Sequence, residues 1–499
     1  MVGLMNSNSL VFAFGAAVLV SIAISLFSGI QKGTIQSFFW GDQKISFGLT
    51  ASLILTSSFS LNGLLYQAWL GFSIGWLSLL VQAVWCAGFV ILVSNVPRFQ
   101  NILGRGTMHA IIASRFGNRA GKLAAIASIV GFAILVGWES VVGATLLKNA
   151  VGANTVVYIA LPLALVVVAS LYTSTGGLRG NAIVNAVQNV FKGLILISSA
   201  ILLVKVSPLG WGALSESHAA RTNWDSAVQS LGGIALLSNF VFSFFWQAVD
   251  MSNWQNLAAT EPDRRTRSIW AATIAVFIFP GLVGSVIGIA LSSLPNISPA
   301  VTDANILNQF LEALSQYPSA VILLSAAFAA SMMSAIDGYA LAASQAATWD
   351  LIFPDVVKNL LSKGADREAS IDDHRVLAVG RVIVLLVALL GASTVMALVI
   401  AGGISLFDIV YVVVIAQMSL VGPVIVCLIS KFDHRIEYGS VPIILGLLCG
   451  GLLVAQRFIG NPDLYVWAPA GAVFASLVLA ILLNYWSPVP KTNMPQGGV

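Results

Sequence analysis

TASLILTSSFSLNGLLYQAWLGFSIG, residues 50–75, is the stretch that decides the fold of this chain. It is long and apolar enough for a membrane-spanning helix, yet its middle, Thr56 to Gly63, carries small hydroxyls, an amide and a glycine. Such a middle is typical of a helix that breaks at mid-membrane, where freed backbone carbonyls need hydroxyls, ions or substrate as partners. The alternative is a continuous helix whose Ser and Thr side chains bond back to their own backbone.

The composition is that of a polytopic membrane protein. Of 499 residues, 58% are hydrophobic and 9% charged, with a mean hydropathy of +0.91, whereas a soluble protein has roughly 25% charged residues. The pattern predicts about thirteen apolar spans, at residues 10–28, 46–72, 75–95, 121–147, 155–172, 183–205, 233–256, 269–293, 318–346, 378–402, 405–428, 439–456 and 464–485. No enzyme is predicted, because no nucleophile elbow, phosphate loop, zinc spacing or paired-carboxylate signature stands in a plausible setting.

The basic residues predict the orientation in the membrane. Of 24 Lys and Arg residues, 19 fall in loops on one side and four on the other, with Lys192 inside a span. Cytoplasmic loops carry the excess of positive charge, so we expect a multi-pass inner (plasma) membrane protein with its N-terminus outside and its C-terminus in the cytoplasm. The basic pI of 9.0 is then a topology signal, and no nucleic-acid partner is expected.

A second polar-interrupted span lies at residues 233–256, which end around Asp250 in FFWQAVDMSNWQ. It is the seventh predicted span, five after the first interrupted one. This separation is the one that an inverted five-plus-five repeat requires, with a binding site where the two broken helices meet. The span at 318–346 is also polar at mid-membrane, where Ser331, Ser334 and Gly338 form a stripe of small residues.

Several short motifs follow one another in a fixed order: Phe39-Trp40-Gly41-Asp42, Thr107 to Arg119, Tyr172-Thr173 with Gly176-Gly177 and Gln188, Asp250 with Gln255 and Leu257-Ala258-Ala259, Met333-Ser334, Asp350, Arg381 and Gly422-Pro423. Together they resemble the sodium:solute symporter family over nearly the whole chain. The resemblance implies an all-α membrane protein of about 13 transmembrane helices with a LeuT-type 5+5 inverted repeat, one extra N-terminal helix and two extra C-terminal helices.

The resemblance also implies a division of the chain. An N-terminal helix and cytoplasmic loop occupy 1–45, the first repeat 46–205, an extracytoplasmic loop 206–232, the second repeat 233–428, two C-terminal helices 429–485, and a disordered cytoplasmic tail 486–499.

In that family one Na⁺ lies between the first repeat helix and the eighth, and its ligand positions carry over to the carbonyls of Thr56, Phe59 and Ser331 and the hydroxyl of Ser334. The second hydroxyl position is Ala335 here, whose methyl group cannot coordinate a hard cation. The family's acidic residue on the fifth repeat helix is Asn185 here, three residues before Gln188. Either Asp337 or Glu139 supplies the missing charge, or the protein uses protons or no ion.

Charged groups at mid-bilayer are functional candidates, because each costs about 2.5–3.5 kcal/mol on insertion scales. They are the carboxylates Glu139, Asp250 and Asp337 and the base Lys192. A structural ion pair or a buried neutral carboxyl is the alternative. Function is favoured for Asp250, the two interpretations are balanced for Asp337, and a structural role is favoured for Glu139 and for Lys192, which can snorkel to the cytoplasmic face.

The sequence predicts a secondary active transporter that moves a small polar or charged organic solute by alternating access, coupled to Na⁺. The predicted solute contacts are Asn62, Tyr66, Gln82, Trp246, Gln247, Asp250 and Asn253, and the coupling candidates are Glu139, Asn185, Gln188 and Asp337. No cofactor is expected beyond Na⁺ or H⁺. A proton-coupled or uncoupled carrier of the same fold is the alternative, and a transporter-like sensor is a weaker one.

Overall fold

The computed structural model describes residues 15–24, 33–103, 106–151, 155–215, 224–295, 305–363, 368–402, 406–430 and 436–486. Within these ranges the regular structure is helical, apart from one isolated bridge between Ile45 and Thr260. Ten of the described helical segments are long and apolar enough to cross a membrane. The predicted all-α membrane protein is confirmed, whereas the number of thirteen spans and the repeat arrangement stay predictions. The predicted disordered tail lies, beyond Trp486, outside the described residues.

The helices of the first half contain the first interrupted span and a long bent helix. They are α1 (Gly15–Ile24), α2 (Ile35–Trp40), α3 (Phe47–Ser58), α4 (Leu61–Ile74), α5 (Ser78–Leu103), α6 (Met108–Phe116), α7 (Asn118–Val151) and α8 (Thr155–Val206). The two spans predicted at 155–172 and 183–205 are both part of α8. Gly177 bends this helix with φ 53° and ψ −160°, a backbone conformation that glycine adopts without steric cost.

The helices of the second half include the two parts of the second interrupted span and two helices that are joined by a π-helical turn. They are α9 (Trp224–Leu231), α10 (Gly233–Val249), α11 (Met251–Ala259), α12 (Arg265–Val276), α13 (Gly284–Ser292), α14 (Ile306–Ala313), α15 (Pro318–Ala346), α16 (Pro354–Ser362), α17 (Ile371–Gly402), α18 (Leu406–Met418), α19 (Val421–Ile429), α20 (Val441–Phe458), α21 (Pro462–Tyr465) and α22 (Ala468–Trp486). A π-helical turn, Phe277–Val283, joins α12 to α13 around Pro280, because proline removes one helical hydrogen bond.

Small residues bring α4 and α13 into close contact. A Cβ atom on Gly288 of α13 would lie 1.9 Å from the carbonyl oxygen of Ala68, and one on Gly71 would lie 2.5 Å from that of Ser285. Helices in lipid pack through such residues, because they let the backbones approach. This contact fixes the second half of the first interrupted span against α13.

An aromatic cluster closes the end of the molecule that the charge bias predicts to be cytoplasmic. The rings of Trp40 and Trp349 lie with centroids 4.5 Å apart, and Phe39 lies 5.5 Å from Trp349. All three side chains are buried. Next to them, His109 bridges Asp350 at 2.8 Å and Ser128 at 2.9 Å. This end of the helix bundle is therefore tightly sealed.

Candidate functional site

The first interrupted span is broken, as its polar middle predicts. Helix α3 ends at Ser58 and α4 begins at Leu61, with Phe59 outside helical geometry at φ −95° and ψ 40°. The hydroxyl of Ser60 caps α4 by accepting a bond from the Gly63 amide at 3.0 Å. A Cβ atom on Gly63 would lie 2.2 Å from the Ser58 carbonyl oxygen, so the turn requires glycine at this position.

The second interrupted span breaks at Asp250. The carboxylate oxygen Oδ1 of Asp250 accepts bonds from the amide of Ser252 at 2.9 Å and from its hydroxyl at 2.5 Å, which is the geometry of a helix N-cap. Across the break, the Asn253 side-chain amide donates to Gln247 Oε1 at 2.8 Å. The break predicted here is confirmed, and Asp250 begins α11.

A cavity of about 370 Å³ lies beside the first break. It extends from Ser58 and Ser60 to Tyr411, Arg457 and Tyr465, on the side that the charge bias predicts to be extracellular. The Tyr411 and Tyr465 rings stack there at 4.2 Å. A volume of this size fits a small organic molecule.

Polar groups without a partner stand in the cavity wall. Among the described residues, the side-chain amide of Asn62, the indole nitrogen of Trp138 and Oε2 of Glu139 are buried and have no hydrogen-bond partner. The other oxygen of Glu139 accepts from the Asn62 backbone amide at 3.4 Å. Buried polar groups are nearly always satisfied, so these three indicate where a ligand or water binds.

Aromatic rings form the opposite wall. Trp85 stacks on Trp246 with centroids 6.2 Å apart and planes at 23°, and Phe242 meets Trp246 edge-on at 5.3 Å. The Trp85 indole donates to the Ser58 hydroxyl at 3.0 Å, which ties this wall to the broken helix. The Tyr66 hydroxyl accepts from the Asn239 amide.

Of the predicted solute contacts, the structure brings four to this cavity: Asn62, Tyr66, Gln82 and Trp246. The other three, Gln247, Asp250 and Asn253, lie at the second break and are not among the cavity-lining residues. Their role in solute binding stays a prediction, and their absence from the cavity wall gives it no support. Glu139, which the sequence favours as structural, is the carboxylate that reaches the cavity.

The candidate cation site is brought together between α3 and α15, and Lys192 of α8 lies in it. Its Nζ donates to the Phe59 carbonyl at 2.7 Å and to the Ser334 hydroxyl at 3.0 Å, and lies 4.6 Å from the centre of the Phe59 ring. Ser334 in turn donates to the Ser331 carbonyl at 3.0 Å. Lys192 is fully buried, so the expectation that it snorkels to the interface is wrong.

Two further coupling candidates meet one turn away. Asp337 accepts from the Tyr172 hydroxyl at 2.8 Å and from the Asn185 amide at 3.2 Å, so it joins both halves of the bent α8 to α15. Gln188, three residues after Asn185, instead donates to Ser21 of α1 at 2.8 Å. Asn185 and Gln188 therefore bond to different helices, α15 and α1.

The model of the sodium:solute symporter family matches residues 41–252, which contain both helix breaks and Lys192. The chain is similar to the sodium:solute symporter family. A search of curated proteins finds no match.

Solved transporter structures share the fold at low identity. A Na⁺-coupled sialic acid symporter in a substrate-bound outward-open state aligns with a TM-score of 0.74 at 15% identity, over 97% of this chain and 98% of that one. A manganese transporter of Eremococcus coleocola aligns at 0.56 with 13% identity, over 88% and 95%. Inward-facing Mhp1 aligns at 0.53 with 15% identity, over 90% and 92%. These likenesses show the fold.

The sodium site that the symporter family implies does not fit the residues of this chain. At Ala335 the expected hydroxyl is a methyl group, buried on α15, and the ammonium of Lys192 already bonds the Phe59 carbonyl and the Ser334 hydroxyl. The sequence did not lead us to expect Lys192 in this site. Its signal was the spacing of Asn185, Asn189 and Lys192, which places all three on one helix face.

Proposed function

We propose that this chain is a secondary active transporter that moves a small polar or charged organic solute across the membrane by alternating access. The observation that carries the proposal is the cavity beside the α3–α4 break, with the partnerless polar groups of Asn62, Trp138 and Glu139 in its wall. The similarity to the sodium:solute symporter family and to transporter structures supports it.

The shape of the cavity supports a carrier mechanism over an open pore. The cavity reaches the Arg457 and Tyr465 side, while Trp40 and Trp349 pack against each other at the opposite end. A carrier opens its site to one side at a time, which requires a closed barrier on the other. The described arrangement corresponds to one such state, open towards the predicted extracellular side.

The wall chemistry favours a solute that carries a donor-rich or cationic group. Glu139 presents a carboxylate oxygen, and Asn62 presents both an amide donor and an amide acceptor. Trp85 and Trp246 offer a flat apolar surface for the rest of the molecule. In this proposal a cationic or amine-bearing solute places its positive group at Glu139.

Sodium coupling has support from the family and from the Na⁺-coupled structural neighbour. A second candidate, a proton-coupled or uncoupled carrier, is favoured by a specific observation, since Lys192 bonds two of the groups that would hold the ion. The location in the inner membrane, with an outside N-terminus, is proposed from the distribution of basic residues.

The test is a melting-temperature screen of the purified protein against small polar solutes, including amines, amino acids, sugars and nucleobases. A ligand that binds only the folded protein raises its melting temperature. We expect a solute that stabilises the wild type and not Asn62→Ala. Asn95→Ala is the matched control, because the Asn95 amide bonds the Ile91 carbonyl of its own helix at 2.8 Å. Stabilisation that Asn62→Ala leaves unchanged would place the solute elsewhere.

A further inference from the structure

We propose that the ammonium of Lys192 is the resident cation of the site between α3 and α15, so that no Na⁺ binds there. This inference rests on the proposed transport function and concerns the ion site of that carrier.

The contacts of the ammonium are those of a bound cation. The Phe59 carbonyl, 2.7 Å from Nζ, lies just beyond the C-terminal end of α3, where the helix dipole and the freed carbonyls attract positive charge. The Ser334 hydroxyl accepts a second bond, and the face of the Phe59 ring lies 4.6 Å away. The positive charge at this helix end therefore belongs to a side chain of the protein, Lys192, and not to a free ion.

Neighbouring residues on α8 hold Lys192 in this place. One turn earlier, the Asn189 amide donates to the Thr56 hydroxyl at 3.0 Å and to Ser52 at 2.7 Å. Gly193 lets α8 approach the π-helical turn, because a Cβ atom there would lie 2.8 Å from the Phe279 ring. These contacts of Asn189 and Gly193 fix the part of α8 that carries Lys192.

A sodium ion has no room beside this ammonium. It would need the same carbonyl and hydroxyl oxygens and would lie against a like charge, which is strongly unfavourable in a buried setting. The position that would add an oxygen is Ala335, which offers a methyl group.

Carboxylates, phenols and aromatic rings of the neighbouring helices surround Lys192. The ionisable groups that interact electrostatically with Lys192 are Glu139 of α7, which reaches the large cavity, and Asp337 of α15. The phenols of Tyr172 and Tyr339 lie on α8 and α15 beside them, while α3 and the π-helical turn present the Phe59 carbonyl and the Phe59 and Phe279 rings.

Ser334 and Ala335 line a second, polar cavity of about 20 Å³. Asn181 lines it, and its side-chain amide has no partner among the described residues. A polar space of this size holds a water molecule. Ser334, which accepts a bond from Lys192, lines this small cavity, whereas Lys192 is not among the residues that line either cavity.

The test uses Na⁺ alone as the probe and needs no knowledge of the solute. Melting temperatures and saturable ²²Na⁺ binding are measured on the purified protein in NaCl and in choline chloride of equal ionic strength. We expect the wild type to show no Na⁺ effect, or one that Ser334→Ala leaves unchanged because it arises elsewhere. A Na⁺ effect that Ser334→Ala abolishes would overturn the proposal.

A gain of function provides the second arm. In Lys192→Ala/Ala335→Ser the ammonium is removed and the hydroxyl restored, so we expect Na⁺ to raise the melting temperature by several degrees and Ser334→Ala to abolish that gain. A folded double variant that stays indifferent to Na⁺ would contradict the inference; if it fails to fold, the wild type and Ser334→Ala decide. Failure of the transport proposal itself would appear only in solute assays, so the two results are distinguishable.

Discussion

Asp250 and Glu139 lie in surroundings that differ from those that their sequence context favours. Asp250 follows a polar, tryptophan-rich helix end, which points to solute binding, but its carboxylate caps α11. Glu139 lies in an otherwise apolar span, which points to packing, but it reaches the cavity. The sequence predicts that each carboxyl lies within the membrane. It does not give the residues of distant helices that lie beside the carboxyl, because these depend on how the helices pack.

The capping role of Asp250 gives a residue-scale prediction. Asp250→Ala removes the acceptor for the Ser252 amide and should lower the free energy of unfolding by about 0.5–2 kcal/mol. Asp250→Asn keeps an acceptor oxygen and should melt close to the wild type. Thermal melts in detergent distinguish the two. Loss of solute binding in a well-folded Asp250→Asn variant would return this residue to the solute site.

At the scale of the helix, both breaks are predictable from sequence, because small polar residues and a capping residue interrupt an apolar run at each, with Ser60 as the cap at the first break and Asp250 at the second. The Gly176-Gly177 pair lies where α8 bends, between the spans predicted at 155–172 and 183–205, but the consequence of the bend is not readable from sequence. Only the folded chain shows that the bend lets Tyr172 and Asn185, on either side of it, bond the same Asp337 carboxylate.

The close crossing of α4 and α13 gives an element-scale prediction. Gly288→Ala places a methyl group against the Ala68 carbonyl and should destabilise the protein by about 1–3 kcal/mol through overpacking. Gly451→Ala on α20 is the matched control, because no atom lies within 4 Å of its added Cβ. Equal melting temperatures for the two variants would contradict the packing argument.

At the scale of the whole molecule, the chain is a helix bundle with one end open and one end sealed. The composition predicts a membrane protein, and the distribution of basic residues predicts its orientation in the membrane. Both properties are readable because they depend on many residues and not on a single contact. The open state is not readable from sequence, because it depends on how the Trp40 and Trp349 rings pack across the bundle.

This asymmetry predicts one-sided access to the cavity. In a cysteine-free background, Asn239→Cys, on the cavity wall, should react with a membrane-impermeant maleimide from the extracellular face. Thr348→Cys, buried at the sealed end, should react far more slowly from that face. Labelling of sealed and unsealed membrane vesicles measures both rates, and equal rates would contradict an outward-open arrangement.

The central claim is that the chain drives a solute uphill with an ion gradient. The most direct measurement reconstitutes the protein in proteoliposomes and follows uptake of the solute that stabilises it best. We predict accumulation above the external concentration under an inward gradient of Na⁺ or of protons, each imposed in a separate measurement with choline as the replacement cation. An internal concentration that never exceeds the external one, under a proton or a sodium gradient, would contradict the account.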